Sequence, residues 1–260
     1  PGFQSHAHHL LTPAAALKFG RAVGEFQEGR AIIGYCPGAR LAVPVYETAF
    51  ALSRALRARG LEERTSIIIV SPTRYSDTFG GGEMTGALRD ALDAHRVGFL
   101  PNFAIARVTE DQVWTDSGLR LGYELLMLIP PFEGAGAAAA MGLKVTDEDG
   151  YVRVDRCLRV QSLERAYAVG DCVNFEGQKM GHMAVRQAEI AAANVKAEIE
   201  GRSPEALYDH EMMLVIDEGG RDSIYYQKEL WGGEGENVKR GRFWGWAKHV
   251  HERYWRAQHA

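Results

Sequence analysis

Apolar and polar positions follow one another along the chain in an order that predicts alternating strands and helices. Continuous apolar runs at residues 31–36 and 66–70 are typical of strands buried on both faces of a sheet. Apolar residues recur with helical spacing over residues 45–56 and 84–94, each time after one of these strands. This order predicts a parallel sheet with helices packed on its faces.

A helix is predicted ahead of this unit. Thr12 and Pro13 suit the N-cap and the first helical position, and apolar residues recur with helical spacing after them. Gly29 stands where a glycine commonly ends a helix. The pattern therefore predicts a helix of about four turns between these signals.

After Val97 the pattern changes to short apolar segments separated by turns, which predicts a small antiparallel section inside the α/β frame. These segments are residues 103–108, 112–115, 119–121 and 125–129.

The last third of the chain combines a strand, a long helix and a hairpin. Residues 166–169 are predicted to form a strand that runs into Gly170-Asp171, and a helix is predicted from about His182 to Glu200. Residues 212–216 and 224–228 flank a polar loop at 218–222, which is typical of a hairpin.

The final segment, residues 243–255, has helical spacing and is both aromatic and basic. From Lys239 onward six Lys and Arg residues face a single acidic residue, Glu252, a balance that suits an anionic surface. Tryptophan and tyrosine beside lysine and arginine suit a helix that lies in a membrane interface. The alternative is a helix that docks on the protein core or on a partner subunit.

Bulk composition limits the classes of function. The chain has 260 residues, a net charge of -4 and a pI of about 6.2, so it has no uniform basic field and no nucleic-acid partner is expected. It contains no apolar run of the roughly 18 residues that a spanning helix needs, and no signal-peptide pattern. We expect a cytoplasmic protein that does not span a membrane.

Cysteine and histidine usage gives no metal site. The three cysteines, Cys36, Cys157 and Cys172, form neither a disulfide framework nor a C-x-x-C motif. The histidines between His6 and His9 have no carboxylate or thiol nearby at ligand spacing, so we expect a solvated segment there.

Two segments in the middle of the chain carry a family resemblance. Residues 166–172 (AYAVGDC) and 181–188 (GHMAVRQA) resemble the second FAD motif of the pyridine nucleotide-disulfide oxidoreductase superfamily. Residues 129–134, Gly142-Leu143 and residues 150–155 also stand in the usual order of that superfamily, although they are explicable as turn residues alone.

The resemblance implies a flavin site with FAD as the cofactor. Gly170 would let the backbone approach the ligand closely, and Asp171 would accept a hydrogen bond from a ribityl hydroxyl. The helix that begins with Gly181, His182 and Met183 would direct its N-terminus at the flavin pyrimidine edge, where reduction builds negative charge. Lys179 would lie near the flavin or the quinone head group, or it is a plain surface lysine.

The branch of the superfamily depends on the residues around Cys36. The glycine spacing G-x-G-x-x-G is absent there, and the next strand ends in Val70-Ser71 instead of an acidic residue, so NAD binding in the usual mode is disfavoured. Gly34-Tyr35-Cys36, followed by Pro44-Val45-Tyr46-Glu47, resembles the sulfide:quinone oxidoreductase pattern.

That pattern implies a catalytic redox cysteine at Cys36. A thiol near a helix N-terminus and an oxidised flavin would have a lowered pKa and act as a nucleophile; the alternative is a buried structural thiol. One departure weakens the assignment of sulfide oxidation. The family's partner cysteine, expected near Met213-Leu214-Val215, is absent.

The resemblance also divides the chain into three parts. Residues 1–122 would form a Rossmann-like second dinucleotide-binding domain with a parallel sheet and a small antiparallel section. Residues 123–202 would form the C-terminal part of the FAD-binding domain, and residues 203–260 a small hairpin and amphipathic helix region. The first FAD fingerprint is absent from the sequence, so we expect the chain to be a fragment that alone binds FAD weakly.

The functional expectation is an FAD-dependent oxidoreductase that passes electrons from sulfide or a similar small donor, through flavin, to a quinone. The partners would be this donor, the quinone and a membrane surface contacted by the C-terminal helix on the inner face, and a homo-oligomer is an option. Two alternatives remain. One is a type II NADH dehydrogenase-like enzyme, and the other is a non-catalytic remnant that serves in interaction or membrane docking.

Overall fold

The computed structural model describes residues 1–140, 145–220, 222–231, 233 and 235–259. Gly142-Leu143, Arg221 in the predicted hairpin loop and the side chain of Trp255 lie outside the described residues. The helices within the described ranges are α1 (Phe3–His6), α2 (Pro13–Glu25), α3 (Val43–Ala58), α4 (Tyr75–Thr78), α5 (Glu83–Ala94), α6 (Gly136–Ala140), α7 (Gly181–Ile199) and α8 (Arg242–His259). The strands are β1 (Gly29–Tyr35), β2 (Thr65–Val70), β3 (Val97–Leu100), β4 (Ile105–Val108), β5 (Gln112–Thr115), β6 (Arg120–Gly122), β7 (Leu125–Ile129), β8 (Glu211–Asp217), β9 (Ser223–Glu229) and β10 (Glu236–Arg240).

The chain forms two compact units. The first contains Pro1–Pro131, Met213–Gln227 and the residues from Glu236 onward, and the second contains Phe132–Met212 and Lys228–Gly235. The sequence analysis predicted a different division, into three functional parts: residues 1–122, 123–202 and 203–260. This division stays a prediction.

The first unit is built on a four-stranded parallel sheet with the strand order β3-β2-β1-β7. In the centre, Ile33 of β1 pairs with Ile69 of β2 on one side and with Met127 of β7 on the other. All three side chains are fully buried, as expected for strands covered on both faces. Helix α3 follows β1 and helix α5 follows β2, which confirms the predicted α/β architecture.

Helix α2 begins as predicted and ends earlier. The Thr12 hydroxyl caps it by accepting a hydrogen bond from the Ala15 N–H at 3.2 Å, and Pro13 takes the first helical position. The helix ends at Glu25, and Gly29 is the first residue of β1 instead of a helix-ending glycine. That part of the prediction was wrong, because Gly29 uses its positive φ of 95° to start the strand.

The predicted antiparallel section is present as the sheet β4-β5-β6. The fourth segment, 125–129, does not belong to it: β7 pairs parallel to β1 in the main sheet. Its five residues are all buried, the signature of a central strand in a covered sheet. The sequence analysis did not predict strand β3, in which Gly98 interrupts the apolar residues.

The C-terminal residues of the first unit form the predicted hairpin strands and helix. Strands β8, β9 and β10 make a sheet with the order β10-β9-β8, and β10 was not predicted. Helix α8 docks through Trp244, which stacks on Tyr225 with ring centroids 4.2 Å apart. Lys248 of α8 donates to the Glu47 carboxylate on α3 at 2.5 Å and to the Val215 carbonyl at 3.3 Å.

The second unit is held by short bridges and by helix α7. Residues 166–169 were predicted to form a buried strand, and this was wrong: they are half-buried and have a single bridge, between Tyr167 and Arg159. The extended backbone is instead stabilised by a small apolar core. Its buried members are Val145, Val152, Val154, Leu158, Val160, Val173, Phe175, Ala191 and Tyr208.

Candidate functional site

Gly170 and Asp171 form a tight turn close to the start of helix α7. Residues Gly170–Cys172 are a single 3₁₀ turn, and Gly170 has a φ of 81°, a conformation that favours glycine. The Gly170 N–H donates to Oε1 of Gln187, a buried residue of α7, at 2.7 Å. The turn is therefore tied directly to the helix that follows it.

Helix α7 begins close to this turn without a side-chain cap. Its N-cap is Met180, and no side chain in the described part of the chain caps the helix. The first N–H groups of a helix lack partners within the helix and carry a partial positive charge. This end of α7 can therefore accept a polar or anionic ligand edge.

A small pocket lies between the turn and the helix. The residues that line it are Gly170, Asp171, Phe175, Glu176, Gln178, Lys179, Met180, Met183, Ala184, Gln187 and His210. The Asp171 side chain is exposed, and within the described ranges its carboxylate has no hydrogen-bond partner. This carboxylate is thus available to a ligand hydroxyl.

Lys179 is not a surface lysine. It is 7% exposed, and its ammonium donates to the carbonyls of Val173 and Phe175, the latter at 3.2 Å. The ammonium also lies 4.7 Å from the centroid of the Tyr151 ring. A buried ammonium that donates to two backbone carbonyls and lies close to an aromatic ring places positive charge at the pocket wall.

The other residues predicted for this site divide into two groups. Met183 is buried and lines the pocket. Gly181 and His182 form the first turn of α7, but they are not among the lining residues.

Two residues of this site, Gln187 and His210, were missed by the sequence analysis as site residues. His210 is buried and lines the pocket, and desolvation lowers its pKa below the ordinary value of 6.5. His210 carries no sequence signal by itself. Gln187 lies within the 181–188 motif, and it is polar at a buried position of α7 where an apolar residue is usual.

Cys36 lies in the first unit, at the end of β1. It is 8% exposed and lines an open, mainly apolar cleft of about 640 Å³ together with Pro1–Ser5, Pro37, residues 105–108 and residues 130–131. Burial raises the pKa of its thiol to about 11. The predicted lowering of this pKa is therefore wrong for the structure described, because burial disfavours the thiolate.

The Pro-x-Tyr-Glu segment begins α3 as its sequence suggests, with Pro44 in the first turn. Glu47 accepts hydrogen bonds from Lys248 and from the Asp217 N–H at 2.9 Å. Tyr46 is fully buried. These contacts give the segment a structural role within the first unit.

The N-terminus of α5, the helix after β2, is already filled by a carboxylate of the chain. Glu236 accepts from the Glu83 N–H at 3.0 Å and from the Met84 N–H at 3.4 Å. Gly82 precedes this helix with a φ of 67°, and a Cβ there would overlap the Glu236 carboxylate. An anionic ligand has no access to these N–H groups while Glu236 occupies them.

The remaining cysteines and histidines do not assemble a second site. The Cys157 thiol points at the Pro204 carbonyl at 3.7 Å, and the Cys172 thiol at the Val169 carbonyl at 3.2 Å. In the described ranges, no group of three or more His, Cys, Asp or Glu side chains could hold a metal ion.

The chemical groups around the pocket of the second unit suit part of a flavin. Gly170 offers a face without a side chain, where a Cβ would already touch Ala184 at 3.4 Å. Asp171 offers an acceptor, while Lys179 and the uncapped α7 offer positive charge. This donor set suits a polyol next to an electron-poor ring that gains negative charge on reduction.

Fold and site together define an α/β architecture with a candidate cofactor pocket, and comparison with known proteins shows what this architecture is similar to. The chain superposes on the sulfide:quinone oxidoreductase of the hyperthermophilic bacterium Aquifex aeolicus with a TM-score of 0.86 and 20% identity. The match covers 97% of this chain and 64% of that one. The chain therefore has the fold of that enzyme, which confirms the predicted fold class.

Sequence comparison agrees with this description. Sulfide-quinone reductase of Aquifex aeolicus is 24% identical over 179 residues, which is 65% of this chain and 42% of the relative. Ferroptosis suppressor protein 1 of Xenopus laevis is 34% identical over 86 residues, or 33% of this chain and 23% of the relative. No protein-family model matches the chain. The predicted resemblance to sulfide:quinone oxidoreductase-like flavoproteins is confirmed. The chain matches only part of each relative: the sequence alignments cover 42% and 23% of the two curated relatives, and the superposition covers 64% of the solved structure.

Proposed function

We propose that this chain is part of an FAD-dependent oxidoreductase that passes electrons from a small reduced donor to a quinone. One observation carries the proposal: the Gly170-Asp171 turn faces the uncapped N-terminus of α7 across a pocket with a buried lysine. The relatives named for sulfide and quinone supply the class of donor and acceptor.

In this proposal the second unit holds the flavin end of FAD. Asp171 accepts a hydrogen bond from a ribityl hydroxyl, and Gly170 lets the chain approach. Lys179 and the first turn of α7, with Gly181, His182 and Met183, stabilise negative charge on the flavin pyrimidine edge. Bound FAD supplies the capacity to take up and pass on two electrons.

A titration of the protein with FAD tests the cofactor assignment. Wild-type protein should bind FAD weakly, as expected for a chain without the first FAD fingerprint, and show flavin absorbance bands at high FAD concentration. Asp171→Ala should bind FAD about tenfold more weakly still, through loss of a charge-assisted hydrogen bond. Asp209→Ala is a matched control, since Asp209 is an exposed carboxylate paired with Arg156. Equal affinity of Asp171→Ala and wild type would remove Asp171 from the site.

Cys36 is proposed as the redox thiol for the donor. Its cleft in the first unit admits small molecules, while burial keeps the thiol protonated at neutral pH until a base or bound cofactor changes its surroundings. Turnover of sulfide and a short-chain quinone should fall at least tenfold in Cys36→Ser. Unchanged turnover would remove Cys36 from the mechanism.

The donor assignment is tested against the nearest alternative of the same fold. The Glu236 carboxylate at the α5 N-terminus and the absence of the glycine fingerprint near Cys36 both favour a donor other than NADH. Quinone reduction should therefore be much faster with sulfide than with NADH. Rapid oxidation of NADH would favour the type II dehydrogenase-like alternative.

Membrane docking by α8 completes the proposal and accounts for access to a quinone. The α8 side chains with exposed apolar surface, Phe243, Trp246, Val250 and Tyr254, follow helical spacing and therefore share one side of the helix. We place the protein in the cytoplasm, on the inner face of the membrane. No helix in the described ranges is long and apolar enough to cross a bilayer.

A further inference from the structure

Strand β8 lies at one edge of the sheet β10-β9-β8, and an ion pair is bonded to its outer side. The Asp217 N–H donates to Glu47 Oε1 of α3 at 2.9 Å. The Val215 carbonyl accepts from Lys248 Nζ of α8 at 3.3 Å, and the same ammonium donates to Glu47 Oε1 at 2.5 Å. One donor and one acceptor of the strand are thus bonded to side chains, as they would be to a neighbouring strand. All four residues belong to the first unit.

The direction of these backbone groups follows from the pairing of β8 with β9. The Glu218 N–H donates to the Asp222 carbonyl at 3.1 Å, and at the other end the Leu230 N–H donates to the His210 carbonyl at 2.8 Å. In an antiparallel pair every second residue directs its N–H and C=O at the partner strand. The even-numbered residues of β8 therefore face β9. The residues whose backbone groups point away from β9 are Met213, Val215 and Asp217.

The outer side of β8 has the properties of an edge that admits another strand. It is seven residues long, contains no proline, and alternates buried side chains with more exposed ones, among them Met213. Such an edge is a template for pairing with another chain. Two copies of the same strand fit one another, because an antiparallel pair about a two-fold axis matches each outward N–H with a carbonyl of the other copy. A second copy of this chain is therefore the partner that the edge suits.

The ion pair is well placed to occupy this edge. The side chains of Glu47 and Lys248 are 26% and 28% exposed, so their attraction is screened less than that of a fully exposed pair. Lys248 is also held by the docking of α8, where Trp244 stacks on Tyr225. Unlike a strand, a pair of side chains bonds the edge without presenting a further row of backbone groups.

We propose that the Glu47–Lys248 pair closes the β8 edge against a second copy of this chain. When the pair is broken, the Asp217 N–H and the Val215 carbonyl become free, and the β8 strand of another copy pairs with them in antiparallel orientation. The closed edge lies in the first unit and involves no residue of the candidate flavin pocket, so its test is separate from that of the proposed function.

Sedimentation velocity of the full chain over a range of concentrations tests this closure. Lys248→Met removes the ammonium and should raise the association constant at least about tenfold, because two edge groups per chain gain partners. Glu47→Leu opens the same edge from α3 and should act alike. Lys248→Arg keeps a cationic donor and should sediment like wild type, as should Lys196→Met, in which a 74% exposed lysine of α7 is lost.

A proline at Met213 identifies the surface through which the copies associate. The Met213 N–H points away from β9, so Met213→Pro removes a donor from the outer side and leaves the β8–β9 bonds in place. Added to Lys248→Met, it should return the association constant to the wild-type value. Association through the exposed apolar side of α8 would persist in this double variant.

Amide hydrogen exchange detects the open edge directly. In dilute Lys248→Met the Asp217 N–H should exchange faster than in wild type, because its acceptor is no longer held in place. As the concentration rises, the outward N–H groups of Met213, Val215 and Asp217 should become protected. Those of Leu214 and Ile216, which face β9, should not change with concentration.

Three results would overturn the closing role. The first is wild-type association in folded Lys248→Met and Glu47→Leu, and the second is association that persists after Met213→Pro is added. The third is protection that is not confined to the outward N–H groups. If one of the two opening variants loses the native circular dichroism, the other decides. Loss in both also overturns the closing role, because the pair then maintains the fold itself.

Discussion

At the scale of single residues, burial shifts the pKa values of two side chains in opposite directions. It keeps the Cys36 thiol protonated by raising its pKa to about 11, and it keeps His210 unprotonated by lowering its pKa. Both effects remove charge from apolar surroundings. A sequence shows neither effect, because burial depends on contacts between distant parts of the chain.

The raised pKa of Cys36 predicts slow alkylation at neutral pH. The thiolate is the reacting species, so the rate of labelling with iodoacetamide should keep rising with pH toward about 11. The rate at each cysteine can be followed by mass spectrometry of the labelled peptides. A plateau for Cys36 below pH 9 would contradict the raised pKa.

At the scale of elements, the pattern of apolar residues predicted most helices and central strands, and it failed in short or irregular segments. Strands β1, β2 and β7 stand out because at least half of the residues of each are buried. Strand β3 was missed because Gly98 interrupts its apolar residues, and residues 166–169 were mistaken for a strand because their apolar run makes a single isolated bridge, between Tyr167 and Arg159. Local sequence cannot distinguish these cases.

The same limit applies to the candidate site. Gly170, Asp171 and Met183 were named from the motif and line one pocket. For Lys179 the sequence left two alternatives, a residue near the flavin or quinone and a plain surface lysine, and only its burial in the structure excludes the surface lysine. His210 was missed because it comes from a different part of the second unit. Its proximity to the pocket depends on tertiary packing.

The cap of α5 gives a test at this scale. Glu236→Ala should lower the free energy of unfolding by about 1 kcal/mol, because the Glu83 and Met84 N–H groups lose their acceptor and the helix loses a favourable negative charge. Urea denaturation would measure the change. Glu62→Ala, which removes an exposed carboxylate that caps nothing, should change the stability by less than about 0.5 kcal/mol.

Helix α8 gives a second test. Trp246→Gln should reduce binding to vesicles that contain anionic lipid, because an exposed ring is lost from the side of the helix proposed to meet the membrane. Co-sedimentation with vesicles measures this, and binding should weaken as salt is added. Leu17→Gln removes another exposed apolar side chain, on α2, and should leave binding unchanged. Equal loss in both variants would contradict docking by α8.

At the scale of the whole molecule, the first unit contains a buried charge cluster that links distant parts of the sequence. Glu218 has a side-chain exposure of 4%, and Arg240 donates two hydrogen bonds to it at 2.7 Å and 2.6 Å. His95 lies 3.5 Å away on the other side. Although burial raises the pKa of Glu218, the hydrogen bonds from His95 and Arg240 outweigh it and leave the pKa below 4.5.

This cluster predicts a pH-dependent contribution to stability. A depressed pKa means that Glu218 stabilises the fold above its unfolded pKa of about 4.5, and that this contribution is lost as the pH falls through the folded pKa. Arg240→Met leaves a buried carboxylate without its main partner and should cost about 3 kcal/mol at pH 7.

Urea denaturation at several pH values measures this cost. The difference between Arg240→Met and wild type should shrink as the pH falls below 4.5 and through the lowered folded-state pKa of Glu218, where the carboxylate becomes protonated. Arg242→Met, an exposed arginine two residues further on, serves as the control and should follow wild type at every pH. A difference that stays constant with pH would show that the cluster does not act through the Glu218 charge.

The path of the chain through its two units bears on how the protein is made. Strand β7, which completes the central sheet, follows β1 after about 90 residues. The chain then leaves the first unit and returns to it at Met213 and again at Glu236. A ribosome delivers these returning segments last. The sheet of the first unit can form early in synthesis, whereas β8 to β10 and the Glu218 cluster must wait for nearly the whole chain to emerge, and nascent-chain proteolysis should detect that delay.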